Sequence, residues 1–524
     1  MSRHDDDYPR RDFLVQCAAL PLAGGVVEAA ARLAAGAEVT KATPGGPNAP
    51  PPKSVAAEIE SLLECVDPEL RYRHTPLAAD KNAWPLWQEA CKRHVEEPSD
   101  DSFDDQHERF LEGRQVSLDF LKRLTDWSSK NDQSRLLTDQ GIARGAVKLP
   151  PATSGDFFAN DIDYIMNLRR LASSKNVLCR LRLHHGDVTG AITEANSVIE
   201  MASTVLRGEC LFIDYLVGIA ILTVGKASLE RAATAPQAST GQARKAIATL
   251  SVARPRRDDL KRALRVELCR FFVPMIAKYP DTTSSDDLAA HWLSEFDAIA
   301  DELLPKETRG LKKRIALTQS LLEGHPRPFD KKDTVRCASN LLKAVLGELG
   351  KPVIKRKAVS NSLETELRFW PAAAANDLFF VLEDSIFPET KELSANDIAR
   401  ARDALRSVDN VLGKYVALSA EVVPNASASD FNRARIDASR LKIAFHWYQN
   451  VHSKMPAKLD ELVDDQLLPE IPQDPYDGQP FKYSAERRVI WCAGEDGKNS
   501  GVISANEDPE DPFDVKLVWR IAKP

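Results

Sequence analysis

Between Ser54 and about Tyr448, apolar residues recur every three or four positions, and this 3.6-residue period confines most of the chain to amphipathic helices. A helix with one apolar stripe must bury it against a neighbour, so the expected fold is mostly α: an irregular, largely antiparallel helical array. One stripe runs from Asp187 through Val188, Ala191, Ile192, Ala195, Ile199, Ala202 and Leu206. Asp187 has the short acceptor side chain suited to an N-cap, and Gly186 can close the preceding helix, so the pair predicts a helical hairpin. A second stripe, Ile398, Ala401, Leu405, Val408, Leu412 and Tyr415, follows Ser394 as its cap. Further starts are expected at Ser102, with Asp105 three residues on, at Ser285 and at Asp330, while Pro274 should kink or break a helix spanning Asp258 to Lys278. The segment Leu168 to Leu206 has the layout of two closely packed helices joined by the Gly186-Asp187 turn, without several copies at a fixed period of 34 residues, so an irregular array is expected rather than a regular solenoid.

A chain of 524 residues, 43% hydrophobic and 28% charged, can build a sizeable core. Its formal charge of -7 gives no general attraction to nucleic acid or anionic lipid, so the expected partners are proteins or small molecules, and no nucleic acid. No stretch reaches about 18 uninterrupted apolar residues, which predicts no internal membrane span. The eight cysteines include no C-x-x-C pair, and those at 179, 210 and 269 sit among apolar residues, as buried small hydrophobes do.

The run Pro9-Arg10-Arg11-Asp12-Phe13-Leu14 precedes a moderately apolar segment, Val15 to Val27, and then Ala35-Gly36-Ala37. This order resembles a twin-arginine export signal, which implies a signal peptide over residues 1–37 and a periplasmic or otherwise exported product, anchored if the segment stays uncleaved. Residues 38–53, with Pro and Gly dense from Ala42 to Pro52, read as a linker, and residues 54–427 as the helical body.

His184-His185-Gly186-Asp187 offers two imidazoles and a carboxylate, but neighbouring helical residues point about 100° apart, so a helix end, a turn and a cap account for the string. There is no H-E-x-x-H, G-x-S-x-G or G-x-G-x-x-G motif, and Gly497-Lys498 lacks the glycine and hydroxyl positions of a phosphate loop. No catalytic residue is assigned. The acidic stretch Asp100 to Glu108 and the basic patches Arg254 to Arg257 and Lys355 to Lys357 read as solvated helix ends; Trp84, Trp87, Phe271, Phe272, Phe379 and Phe380 read as core.

Residues 428–524 change character. A helix from about Asp430 to His452 stops at Met455-Pro456, and a short helix, Ala457 to Val463, follows. Asp474-Pro475 and Asp477-Gly478 are turn dipeptides, Phe481/Tyr483 and Val489/Trp491 alternate as strands do, and Asp514 to Ile521 can add a third strand. The positions Leu459, Leu462, Pro472, Asp474, Pro475, Tyr476, Gly478, Pro480, Tyr483, Gly494, Asp496 and Gly497 resemble the end of the major pseudopilins of type II secretion. The resemblance implies a small α+β tail and a calcium loop, in which Asp496 and Asn499, with Glu495 or Asp508, would supply hard oxygen ligands. The pseudopilin filament helix does not precede this tail. The same tail on a helical body also resembles uncharacterised exported bacterial proteins, which have no known activity to carry over. The expectation is therefore an exported, non-enzymatic helical scaffold or binding protein that works with protein partners at the cell envelope. The alternatives are an enzyme whose site is assembled from distant helices, or an accessory component of a secretion-like assembly.

Overall fold

The computed structural model describes residues 55–72, 76–98, 100–149, 162–278, 329–356, 410, 426–494, 497 and 517–521. The stripe from Ile398 to Tyr415, the twin-arginine segment, Ser285, Phe379 and Phe380 lie outside them. Within them the chain is helical until its end, where a three-stranded antiparallel sheet closes it.

The helices are α1 (Val55–Leu63), α2 (Trp84–Lys92), α3 (Asp101–Glu112), α4 (Leu118–Lys130), α5 (Asp132–Ala143), α6 (Ile162–His184), α7 (Val188–Arg207), α8 (Phe212–Ala233), α9 (Thr240–Ala253) and α10 (Arg257–Glu267). A π-turn, Leu268–Phe272, links α10 to α11 (Val273–Ala277); α12 (Lys331–Glu348), α13 (Ala426–His452) and α14 (Asp460–Asp464) complete the series. The strands are β1 (Lys482–Ser484), β2 (Val489–Trp491) and β3 (Val518–Arg520).

The centre is the antiparallel pair α7 and α8. Asp187 caps α7 by accepting from the Gly190 amide at 2.8 Å, and Gly186, with φ of 78°, turns the chain out of α6. The α7 stripe is buried along its length, and other faces of the helix are buried as well, because α6, α8 and α9 enclose it. Gly218 and Gly225 set the approach of α8: a Cβ on Gly225 would lie 2.8 Å from Ile199 Cγ1, and one on Gly218 2.9 Å from Leu206 Cδ2. Among the described residues α8 alone is long and apolar enough to cross a bilayer, and most of it is buried inside the protein, as a core helix would be.

One boundary differs from expectation. The helix near Ser102 starts one residue earlier, at Asp101, because Asp100 Oδ1 accepts from the Phe103 amide at 2.9 Å and serves as cap. The regular α-helix is interrupted near Pro274 as expected: the proline sits at the second position of α11, and the π-turn before it takes up the chain where the proline has no amide to give. Asp330 caps α12 as expected.

The core is one apolar cluster running from Leu62 through α7 and α8 to Phe481, Ile490 and Ile521, with a satellite of Phe103, Phe110, Phe120, Leu124, Trp127, Val177 and Leu181 under α3, α4 and α6. Trp87, Phe271 and Phe272 are buried in the large cluster, and Trp84 packs against it. The cysteines at 65, 91, 179, 210, 269, 337 and 492 are all free. Cys210 sits between α7 and α8 rather than in a helix.

Candidate functional site

The calcium ligands expected from the pseudopilin resemblance, Glu495, Asp496, Asn499 and Asp508, lie outside the described residues. What is described is the frame before them. Asp474, with no exposed surface, accepts from the Tyr476 amide at 2.8 Å, the Ala493 amide at 2.6 Å and Lys482 Nζ at 3.0 Å. One carboxylate thus ties the Asp-Pro-Tyr turn to the chain leaving β2, which is the structural work of that motif residue. Gly478 and Gly494 take positive φ of 77° and 76°, values that favour glycine. His184 and His185 are exposed at the end of α6, their ring centroids 5.4 Å apart, and the same Asp187 carboxylate is held by Arg182.

The densest unpartnered chemistry lies on α13. Asp430, Arg433, Asp437 and Arg440 follow at steps of three, four and three residues and therefore share one helical face. Instead of meeting solvent, this face meets the junction of α9 and α10 and the segment after α12. Arg254 Nη2 stands 2.7 Å from Asp437 Oδ2, and Arg440 Nη1 donates to Asp437 Oδ1 at 2.7 Å. Arg356 pairs with Asp430 Oδ2; Arg257 Nη2 is 4.0 Å from Asp430 Oδ1 and donates its other end to the Gly350 carbonyl at 2.7 Å. Three members of the basic patches expected to be solvated helix ends are thus folded inward: Arg356 is only 12% exposed, because two buried carboxylates on α13 attract it, Arg254 and Arg257, while Arg256 and Lys355 stay exposed as expected and Lys357 lies outside the described residues.

The charges do not balance. Five guanidiniums, Arg254, Arg257, Arg356, Arg433 and Arg440, face two buried carboxylates, with the exposed Glu470 acting on Arg254 from outside, so positive charge stays in surplus. Arg433 makes no hydrogen bond or ion pair with a described residue. The Nε groups of Arg254, Arg257, Arg433 and Arg440 are buried without an acceptor. Asp437 Oδ2 lies close to Arg254 and Asp430 Oδ1 near Arg257 without a hydrogen bond, so their charges are countered while these two buried lone-pair sites are not used. Burial, with Arg257 next, pulls Arg433 below the usual guanidinium range; burial also lowers Arg254 and Arg257 and, outweighing its arginines, raises Asp437. Leaving a buried donor unpaired costs about 1–3 kcal/mol, and four such donors beside two unused acceptor oxygens leave the cluster short of acceptors. Arg254 and Arg257 keep 23% and 29% of their side-chain surface exposed, so the cluster opens on that side.

The sequence carried one signal for this site that its reading missed. The three-four-three spacing of alternating acid and base puts four charges on one face of a helix that also carries Ile436, Leu441, Ile443, Ala444 and Phe445, and so places charge where burial is expected. Comparison with family models, with curated proteins and with solved structures gave no match to the chain.

Proposed function

We propose that this chain is an exported, non-enzymatic helical binding protein of the cell envelope, and that it takes an anionic group of its ligand between Arg254, Arg257 and Arg433. The observation that carries the reading is the surplus of buried guanidinium groups whose Nε donors have no acceptor. An anion supplies charge and lone pairs together, and arginine forks suit carboxylate and phosphate oxygens. The binding role and the envelope address rest on different features, so each has its own test.

The binding role is tested by thermal unfolding at low ionic strength with phosphate or citrate. At a hundredfold excess over the dissociation constant, a ligand of the folded state stabilises by about 2.7 kcal/mol. The wild type should gain stability with one of these anions. Arg433→Met should lose that gain and, having shed an uncompensated buried cation, should be at least as stable as wild type without anion. Equal anion stabilisation of both proteins, or none of either, would remove the site. For the address, replacing Arg10 and Arg11 by Lys should hold the precursor in the cytoplasm, and wild-type protein found there with Met1 or Ser2 at its N-terminus would refute export.

A second reading, an enzyme assembled from distant helices, is favoured by one observation. Asp214 and Glu267, raised by burial to about 6 and about 7, converge near Tyr164, whose hydroxyl donates to Asp214. Both carboxylates already accept backbone amides at the start of α8, from Leu211 at 2.8 Å and Phe212 at 3.0 Å. That capping role accounts for their placement and makes binding the preferred reading.

A further inference from the structure

The α8 side of α13 holds different chemistry. The two helices run parallel: Tyr215 Oη donates to Ser429 Oγ at 3.0 Å, Ser439 Oγ reaches Glu230 Oε2 at 2.5 Å, and Trp447 Nε1 donates to the Ala233 carbonyl at 2.9 Å. This register brings Lys226, between Thr223 and Glu230, level with Arg435, between Asn432 and Ser439. Lys226 stands one helical turn before Glu230, the carboxylate that could have neutralised it. Glu230 is already taken, with Lys442 Nζ on Oε1 at 2.5 Å and Ser439 on Oε2.

Three cations therefore surround one engaged carboxylate. Lys226 makes no hydrogen bond or ion pair with a described residue, and Arg435 makes only a stacking contact, 5.5 Å over the Phe431 ring. Both side chains are half-buried and so within reach of a small solute. Burial first, then Arg435 and Lys442, against the opposing pull of Glu230, push the Lys226 amine down to about 7. At that pH about half of it is the free base, roughly a thousandfold more than for a lysine at its ordinary value of 10.5. A half-desolvated amine beside other cations is an activated nucleophile.

We propose that Lys226 is a covalent capture site for a small carbonyl compound bearing a carboxylate, which Arg435 receives. The amine lone pair attacks the carbonyl carbon to give a carbinolamine, whose hydroxyl leaves as water, so that amine and carbonyl become imine and water with no oxidant or reductant consumed. The guanidinium beside the amine offers the carboxylate a charged partner and selects anionic carbonyls over neutral ones. This inference uses none of the residues of the arginine cluster and goes beyond the anion-binding reading.

The test incubates the full chain near pH 7 with glyoxylate and cyanoborohydride, which reduces an imine to a stable carboxymethyl amine, and maps the modified lysine by peptide mass. Lys226 should dominate by about tenfold or more over exposed lysines such as Lys92 and Lys458. Lys226→Arg, which keeps the cation, should abolish the adduct while circular dichroism stays native. Arg435→Gln should lower labelling by glyoxylate more than by propionaldehyde, which has no carboxylate and loses only the share due to a more fully protonated amine. Labelling spread over exposed lysines with Lys226 no higher would overturn the capture site. Equal labelling by glyoxylate in wild type and Arg435→Gln would overturn the role of Arg435.

Discussion

At the scale of single residues, burial acts on acids and bases in opposite directions, and the protein contains both cases. Burial raises Glu267 from 4.5 to about 7 and Asp214 from 3.8 to about 6, because the charged carboxylate is the form that loses hydration. Between those values the folded state holds more protons than the unfolded state. The stability these groups contribute is complete below their unfolded values and is lost as pH rises through about 6 and then about 7. His107 runs the other way: burial lowers it from 6.5 to about 4, so its contribution is present above 6.5 and is lost as pH falls through about 4. Glu267→Gln keeps a carbonyl oxygen for the Phe212 amide and removes the titration. The expected result is a smaller fall in urea midpoint from pH 4.5 to above about 7 than in wild type. An unchanged pH profile would show that Glu267 is not desolvated in the folded protein.

At the scale of elements, the packing of α7 on α8 is set by glycine as much as by the apolar stripe. Gly225→Ala adds one methyl at a position where helix propensity favours Ala by about 1 kcal/mol. The new Cβ would meet Ile199 Cγ1 at 2.8 Å and the Ile199 backbone nitrogen at 3.1 Å, and backbone gives way less easily than a side-chain tip. Overpacking of this kind costs about 1–3 kcal/mol, so a net loss on the order of 1 kcal/mol is expected in chemical unfolding. A gain would mean that the two helices can separate without strain. The stripe of α7 and its Asp187 cap were legible in the sequence, because cap and period are local properties. The seating of α13 was not: its apolar positions require a partner, but nothing local says that one face meets α8 and another the α9–α10 junction. The same gap explains why Arg254 and Arg257 read as solvent-facing, since the carboxylates that draw them inward are about 180 residues further along the chain.

At the scale of the molecule, the core joins the tail to the helical body. Tyr476, Phe481 and Ile490 belong to the same apolar cluster as Leu222 and Leu341, and the amides of Val353 and Ile354 donate to the carbonyls of Pro475 and Tyr476 at 3.2 and 3.0 Å. Elements that share one core tend to unfold together. The free buried cysteines provide probes of this: Cys179 reports on α6 and Cys492 on the chain leaving β2. In rising urea, alkylation of both should set in at the same concentration. Exposure of Cys492 well before Cys179 would show that the sheet opens on its own.

Period, caps and turn dipeptides determined the helical class, the α6–α7 hairpin and the three short strands near residues 481 to 521, because each depends on residues within a few positions of one another. Only the tertiary structure decided which charges lost their water. Arg433 and Lys226 are ordinary surface cations by sequence; burial beside other guanidinium and ammonium groups, with the nearby carboxylates paired to other cations, leaves each without a hydrogen bond or ion pair among the described residues. Desolvation depends on what covers a side chain, and the residues that cover these two come from helices far apart in the chain.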